Sequence, residues 1–190
     1  YLQLVTDRLV DHLAYLVGEW SPEADDNYRA GFLAEPADEA LRQMLTGIGV
    51  LSKSELAGER LFTAYDNRDQ EDEHSCFSDN THRDVIDNFG GIRNVYTGRY
   101  VRVDGSIVEG ASLGAVVAQT DAELDTLIRD TIVNVETLVN DIHVPFDQAI
   151  IADEFRPVIL DSVFGLMDLG DLFAEAAATL GLTINTALPE

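Results

Sequence analysis

The run from Glu71 to Asp84, EDEHSCFSDNTHRD, gathers side chains that bind metals or move protons. It holds Glu71, Asp72, Glu73, Asp79 and Asp84, the imidazoles of His74 and His82, and the chain's only cysteine, Cys76. Ser75, Ser78, Asn80 and Thr81 add hydroxyl and amide groups. Glu71 to His74 is a Glu-x-x-His, one half of the ligand pattern of di-iron helical bundles, but it occurs once and in a segment that reads as loop. A mixed nitrogen and oxygen donor set suits iron or zinc better than magnesium. For single residues the plainer reading stays open, since Asp79 and Asn80 just before a helix are ordinary turn-formers. The cluster as a whole reads as functional. A serine nucleophile (Ser75 or Ser78 with His74 or His82) lacks its strand–elbow–helix setting. Asp66 to Glu73 lacks the central glycine of an EF-hand loop.

A second candidate set lies just upstream. With a helical repeat of 3.6 residues, the stripe Leu41, Leu45, Ile48, Ser52, Glu55, Glu59, Phe62 faces one way. Glu55 and Glu59 then point toward a bundle interior. Like charges four residues apart repel, and burial sharpens the cost unless a cation or a donor compensates. A metal, Arg60 or Arg83 would serve. The alternative is that the stripe has run out and both carboxylates face water. His12 falls on the apolar side of the first helix and reads as packing, and His143 reads as a loop residue.

The scaffold that must position these groups reads as helical. Leu2, Val5, Leu9, Leu13, Leu16 and Val17 predict a helix over 1–19, ended by Trp20-Ser21-Pro22. Pro36 opens a helix to about residue 65. Asn80 or Thr81 caps another, to about Gly98. Tyr100 to Val108 alternates around Asp104-Gly105, a hairpin signal. Ser112 starts a short helix. Thr120-Asp121-Ala122-Glu123 is a capping box for a helix over 121–141, and a last helix spans 153–181, with Gly181 at its end. The long helices 1–19, 36–65, 121–141 and 153–181 predict an all-α, up-and-down four-helix bundle in a single domain, 1–190. The connection 66–119, with short helices and a small hairpin, is long enough to be functional.

Charge narrows the partners. With 12 Lys+Arg against 35 Asp+Glu the chain carries −23, and Lys53 is its only lysine. Such a surface repels nucleic acid and anionic lipid, attracts cations and keeps a protein soluble. One cysteine excludes a disulfide within the chain. No apolar stretch reaches transmembrane length. Tyr1 opens inside a helical pattern, as expected of a piece of a longer protein, so targeting signals are not legible.

Three blocks then resemble the second half of the imelysin-like family. They are Ser54-Glu55-Leu56-Ala57-Gly58-Glu59-Arg60, Glu73-His74-Ser75-Cys76-Phe77-Ser78-Asp79-Asn80-Thr81-His82 and Asn94-Val95-Tyr96-Thr97-Gly98-Arg99-Tyr100, followed in order by Val103-Asp104-Gly105-Ser106 and Glu109-Gly110. The resemblance implies an exported bacterial protein, periplasmic or lipid-anchored, associated with iron uptake and built from two related helical bundles with the site between them. The family's Gly-x-His-x-x-Glu motif belongs to the first half and is absent here. What transfers is a ligand face of Glu55, Glu59, Glu73, His74, Asp79 and His82, supported by Arg60, Ser78 and Asn80. The expected function is binding of iron, or an iron-bearing ligand, at an interface with a first-half bundle. Zinc and calcium are alternative ions. A metallopeptidase of the imelysin type, or a carbohydrate binder bridged by cations, is the alternative function. The expected partners are the first-half bundle and a metal ion or chelate, with membrane association through a lipid anchor outside this chain and no nucleic acid. Cys76 would pair with a first-half cysteine in an oxidising compartment.

Overall fold

The computed structural model describes residues 1–187. It divides into two compact units, Tyr1–Leu41 and Arg42–Glu190.

In the first unit, helix α1 spans Leu2–Glu19 and α2 spans Tyr28–Ala34. Asn27 organises the turn between them. Its amide donates to the carbonyls of Gly18 and Ser21, both at 2.9 Å, and its Oδ1 accepts from the N–H of Ala30 at 3.0 Å, the helix N-cap bond. Trp20 packs against Tyr28 and Phe32, with ring centroids 5.2 and 6.1 Å away. No residue of α1 is buried, His12 included, so the stripe read as a packing face is open to solvent.

Helix α3, Ala37–Val50, continues without a break into a π-helix, Leu51–Phe62, and then into α4, Thr63–Asn67. The expected helix over 36–65 is therefore present, but its middle is wound more loosely. A π-helix bonds each N–H to the carbonyl five residues back, and takes about 4.4 residues per turn instead of 3.6. The N–H of Thr63 and its hydroxyl both donate to the carbonyl of Gly58, five residues earlier. The change of winding rotates every later side chain. The stripe holds through Leu45, Ile48 and Ser52, and then Leu56, Ala57 and Leu61 take the buried positions expected for Glu55, Glu59 and Phe62.

The wide helix lies close against α9, Arg156–Thr179. The fully buried hydroxyl of Ser52 donates to the carbonyl of Leu166 at 2.7 Å. Gly170 of α9 sits where a Cβ would come within 2.6 Å of Lys53 Cβ and 3.2 Å of the Gly49 carbonyl. The chain end returns over this contact: Ser54 donates to the Thr186 carbonyl, and the Thr186 methyl fills the space beside Gly49.

The ring of packed helices is completed by α5, Thr81–Thr97, and α7, Ala122–Asp141. The π-helix meets α5, α5 meets α7, and α7 meets α9. The core they enclose includes Leu56, Leu61, Phe89, Ile92, Ile128, Ile132, Leu166 and Phe173. The all-α bundle is thus present, and α5, drawn from the expected connection, is one of its walls. Gly98 ends α5 at φ 64°, and a Cβ there would lie 2.7 Å from the Ala111 carbonyl. The expected hairpin follows. Strand β1, Arg99–Val101, pairs antiparallel with β2, Ile107–Glu109, around Gly105 at φ 82°. Helix α6, Leu113–Thr120, is capped by Ser112, and α7 by Asp121, whose carboxylate accepts from the Leu124 N–H at 2.9 Å. A short helix α8, Phe146–Ile151, precedes α9. No helix among the described residues is long and apolar enough to cross a membrane.

The α9 contact yields the first prediction. Gly170→Ala should destabilise the protein by about 1–3 kcal/mol in urea unfolding, because backbone and Lys53 must move apart. Gly91→Ala, where a Cβ meets nothing within 4 Å, should leave stability unchanged or raise it by up to about 1 kcal/mol.

Candidate functional site

The winding of the π-helix decides what Glu55 and Glu59 do. Residues five apart share a face of a π-helix, so Glu55 meets Arg60, with Oε2 to Nη2 at 2.7 Å. Arg60 Nη1 also donates to Asn88 Oδ1 at 2.7 Å, and Asn88 donates onward to the Asp84 carbonyl at 2.7 Å. Glu55 is half-buried and compensated by the arginine that the sequence offered as one candidate cation. Glu59 is exposed, on the rim of a shallow pocket that Lys53, Thr63 and Met167 also line. The two carboxylates do not converge.

The segment 69–80 connects α4 to α5 and holds itself together with its polar side chains. Arg68, left-handed at φ 53°, ends α4 and ties this corner to Asp153 at 2.9 Å. Asp69 accepts from the Glu71 N–H at 3.0 Å, and Asn67 donates to Asp72 at 2.7 Å. Asp79 takes a left-handed φ of 51° and accepts from Gln70 Nε2 at 3.1 Å. Ser78 donates to the Ser75 carbonyl at 3.3 Å. Asn80 donates to Asp84 Oδ1 at 3.3 Å, and Ser75 donates to Oδ2 of the same carboxylate. Asp79 and Asn80 therefore act here as turn-formers, the plainer of the two readings, and Ser78 bonds within the same turn. His74 is exposed. His82, on the first turn of α5, is half-buried, and its Nδ1 is buried without a hydrogen-bond partner.

Glu73 stands apart from these. It is only 6 % exposed, at the end of the bundle where the α4–α5 loop approaches α8. The fully buried Thr81 hydroxyl lies beside its carboxylate, favouring the ionised form, and accepts from the Ser75 N–H at 3.1 Å. Its Oε1 has no hydrogen-bond partner, and neither does the buried Oδ1 of Asp147. Burial pushes the Glu73 carboxyl above its ordinary value; the Thr81 hydroxyl opposes this, and the charges of Asp147 and Asp79 add to it. Two carboxylates that feel each other's charge and hold orphaned oxygens are poised to take up a proton or a cation. Asp147 was not legible as a site residue, because it lies 74 positions beyond Glu73, on the short helix α8 that the sequence reading did not anticipate.

The ion-binding fit is therefore partial. Among the described residues no group of three or more His, Cys, Asp or Glu is arranged to hold a metal ion. Glu73 and Asp147 offer two oxygens, and a complete coordination shell needs ligands from water or from another chain segment. Cys76 is a half-buried free thiol.

A family model described as Imelysin matches residues 1–172. No curated protein matches the chain.

The raised Glu73 pKa gives a signed prediction. The folded state holds the Glu73 proton more tightly than the unfolded chain, so Glu73 costs no stability below the ordinary value of 4.5 and costs most once pH exceeds the raised value. Glu73→Gln should raise the melting temperature at pH 7, and the gain should vanish by pH 4 in thermal melts across that range.

Proposed function

The chain belongs to the imelysin family, and from that premise we propose that it is an exported bacterial protein that binds iron, or an iron-bearing ligand, in the service of iron uptake. The Glu73–Asp147 end supplies carboxylate oxygens to a site that a second helical bundle completes with further histidine and carboxylate ligands. One observation carries this reading: the buried Glu73 and the half-buried Asp147, whose charge acts on Glu73, each leave one buried carboxylate oxygen unpartnered. Desolvated anions of like sign cost stability unless a proton or a cation joins them. His82, with its unpartnered Nδ1, and exposed His74 are the imidazoles on the same connection that could extend the donor set. The charge of −23 raises the local concentration of cations around such a site.

The second bundle is supported by what α1 leaves uncovered. Leu9 is 57 % exposed, Val10 59 % and Val17 72 %, and a contiguous apolar surface of this kind is ordinarily covered by a partner. Periplasm or cell surface is the corresponding location.

The test is elemental analysis of the protein after equilibration with iron, zinc and calcium and removal of loose ions, alone and together with a first-half bundle. Stoichiometric retention of one ion is expected from the two-bundle protein. The variant carrying Glu73→Ala and Asp147→Ala should lose at least about tenfold in affinity while keeping its helical circular dichroism. Equal retention by the variant would remove these residues from the site.

A further inference from the structure

The opposite end of α5, about 25 Å from Thr81, opens onto a pocket lined by Arg93, Thr97, Arg99, Glu109, Gly110 and Arg129. Three arginines in one pocket are a departure from this chain's composition, which has 12 Lys+Arg in all against 35 Asp+Glu. The acidic groups beside them hold the guanidinium groups in place and leave the terminal nitrogens of Arg99 and Arg129 open. Arg129 donates through Nε to Asp125 Oδ2 at 2.9 Å. Asp125 is 9 % exposed, and its Oδ1 accepts from the fully buried Tyr96 hydroxyl at 2.8 Å. The Arg129 guanidinium carbon lies 5.8 Å from the Tyr96 ring centroid. Gly114 leaves the space this side chain occupies: a Cβ there would fall 2.4 Å from Arg129 Nη2. Arg99 donates through Nε to Glu109 Oε1 at 2.9 Å, across the hairpin ladder that pairs the two residues. Arg93 spends Nη1 on Glu136 and Nη2 on Asn94 Oδ1. Arg99 and Arg129 thus use only Nε, and their terminal nitrogens carry no protein hydrogen bond among the described residues.

We propose that this pocket binds an oxyanion, the carboxylate or phosphate group of a small ligand, between the terminal nitrogens of Arg99 and Arg129. A guanidinium presents its N–H groups in a planar fork that matches two oxygens of such a group. A fork whose Nε is already held by a carboxylate is pre-organised, so less side-chain freedom is lost on binding. Arg129 is held most firmly, because its anchor Asp125 is buried and fixed in turn by Tyr96. The net charge of the whole protein opposes anions at long range, but at physiological salt the Debye length is about 8 Å. Contacts inside the pocket then outweigh distant carboxylates. This site is independent of the Glu73 end and needs no metal.

The experiment is isothermal titration of the protein with citrate and, separately, with inorganic phosphate, each at a constant ionic strength of about 0.15 M. At least one should bind saturably with one-to-one stoichiometry, and which one binds identifies the group recognised. Arg99→Gln should weaken that binding about tenfold or more, as expected for the loss of charge-assisted hydrogen bonds. Arg99→Lys should retain part of it. Arg102→Gln makes the same charge change on the hairpin outside the pocket and should have no effect. Failure of both anions to saturate would overturn the proposal. So would an equal loss in Arg99→Gln and Arg102→Gln, which would reduce the effect to general charge.

Discussion

The close approach of the widened helix to α9 sets the geometry of the rest. Gly170, Gly49 and the hydroxyl of Ser52 allow two helical backbones to come nearer than ordinary side chains permit, with the Ser52 hydroxyl bonded directly to the Leu166 carbonyl. The π winding that accompanies this contact costs backbone hydrogen-bond quality, and such segments are otherwise rare and short. Burial of Leu56, Ala57 and Leu61 against the neighbouring helices offsets that cost; a fully buried leucine alone contributes about 1.5–3 kcal/mol. Because the turn is wider, the helix leaves its contact in a different rotational phase. Glu55 then falls beside Arg60, and Arg60 reaches α5 through Asn88. One local change of winding thus ties three helices together.

Helix α5 links two ends of opposite electrostatic character. At its start Thr81 reaches the buried Glu73, whose neighbours Asp147 and Asp79 are also acidic. Past its end Arg99, together with Arg93 and Arg129, rims a pocket. The acidic end concentrates desolvation and like-charge repulsion, both of which a bound proton or cation relieves. At the basic end, each arginine is already held by a carboxylate. These ion pairs are partly exposed and contribute little stability individually, but they fix the direction of the guanidinium forks. The physical distinction is between a site short of positive charge and a site whose donors outnumber its internal acceptors.

The sequence by itself determined the helical class, most helix boundaries and the small hairpin. Apolar periodicity, Asp121 and Ser112 as caps, Gly98 as a left-handed stop and Asp104-Gly105 as a turn are local signals, and local backbone sterics enforce them wherever they occur. The family, too, was legible, since ordered blocks such as Glu73 to His82 persist as strings. Tertiary structure alone decided which carboxylates are buried. A periodicity of 3.6 left Glu59 either facing the interior or exposed where the stripe runs out, and the π winding that accompanies the packing against α9 leaves it at the surface. Glu73 became the buried acid through the packing of the whole chain, and the charge of Asp147 on α8 acts on it from 74 residues away, which no local pattern encodes. The same holds for Tyr96, Asp125 and Arg129, whose bonds join α5 to α7. Local sequence sets backbone conformation through short-range sterics, whereas desolvation and charge pairing depend on what the whole chain brings alongside.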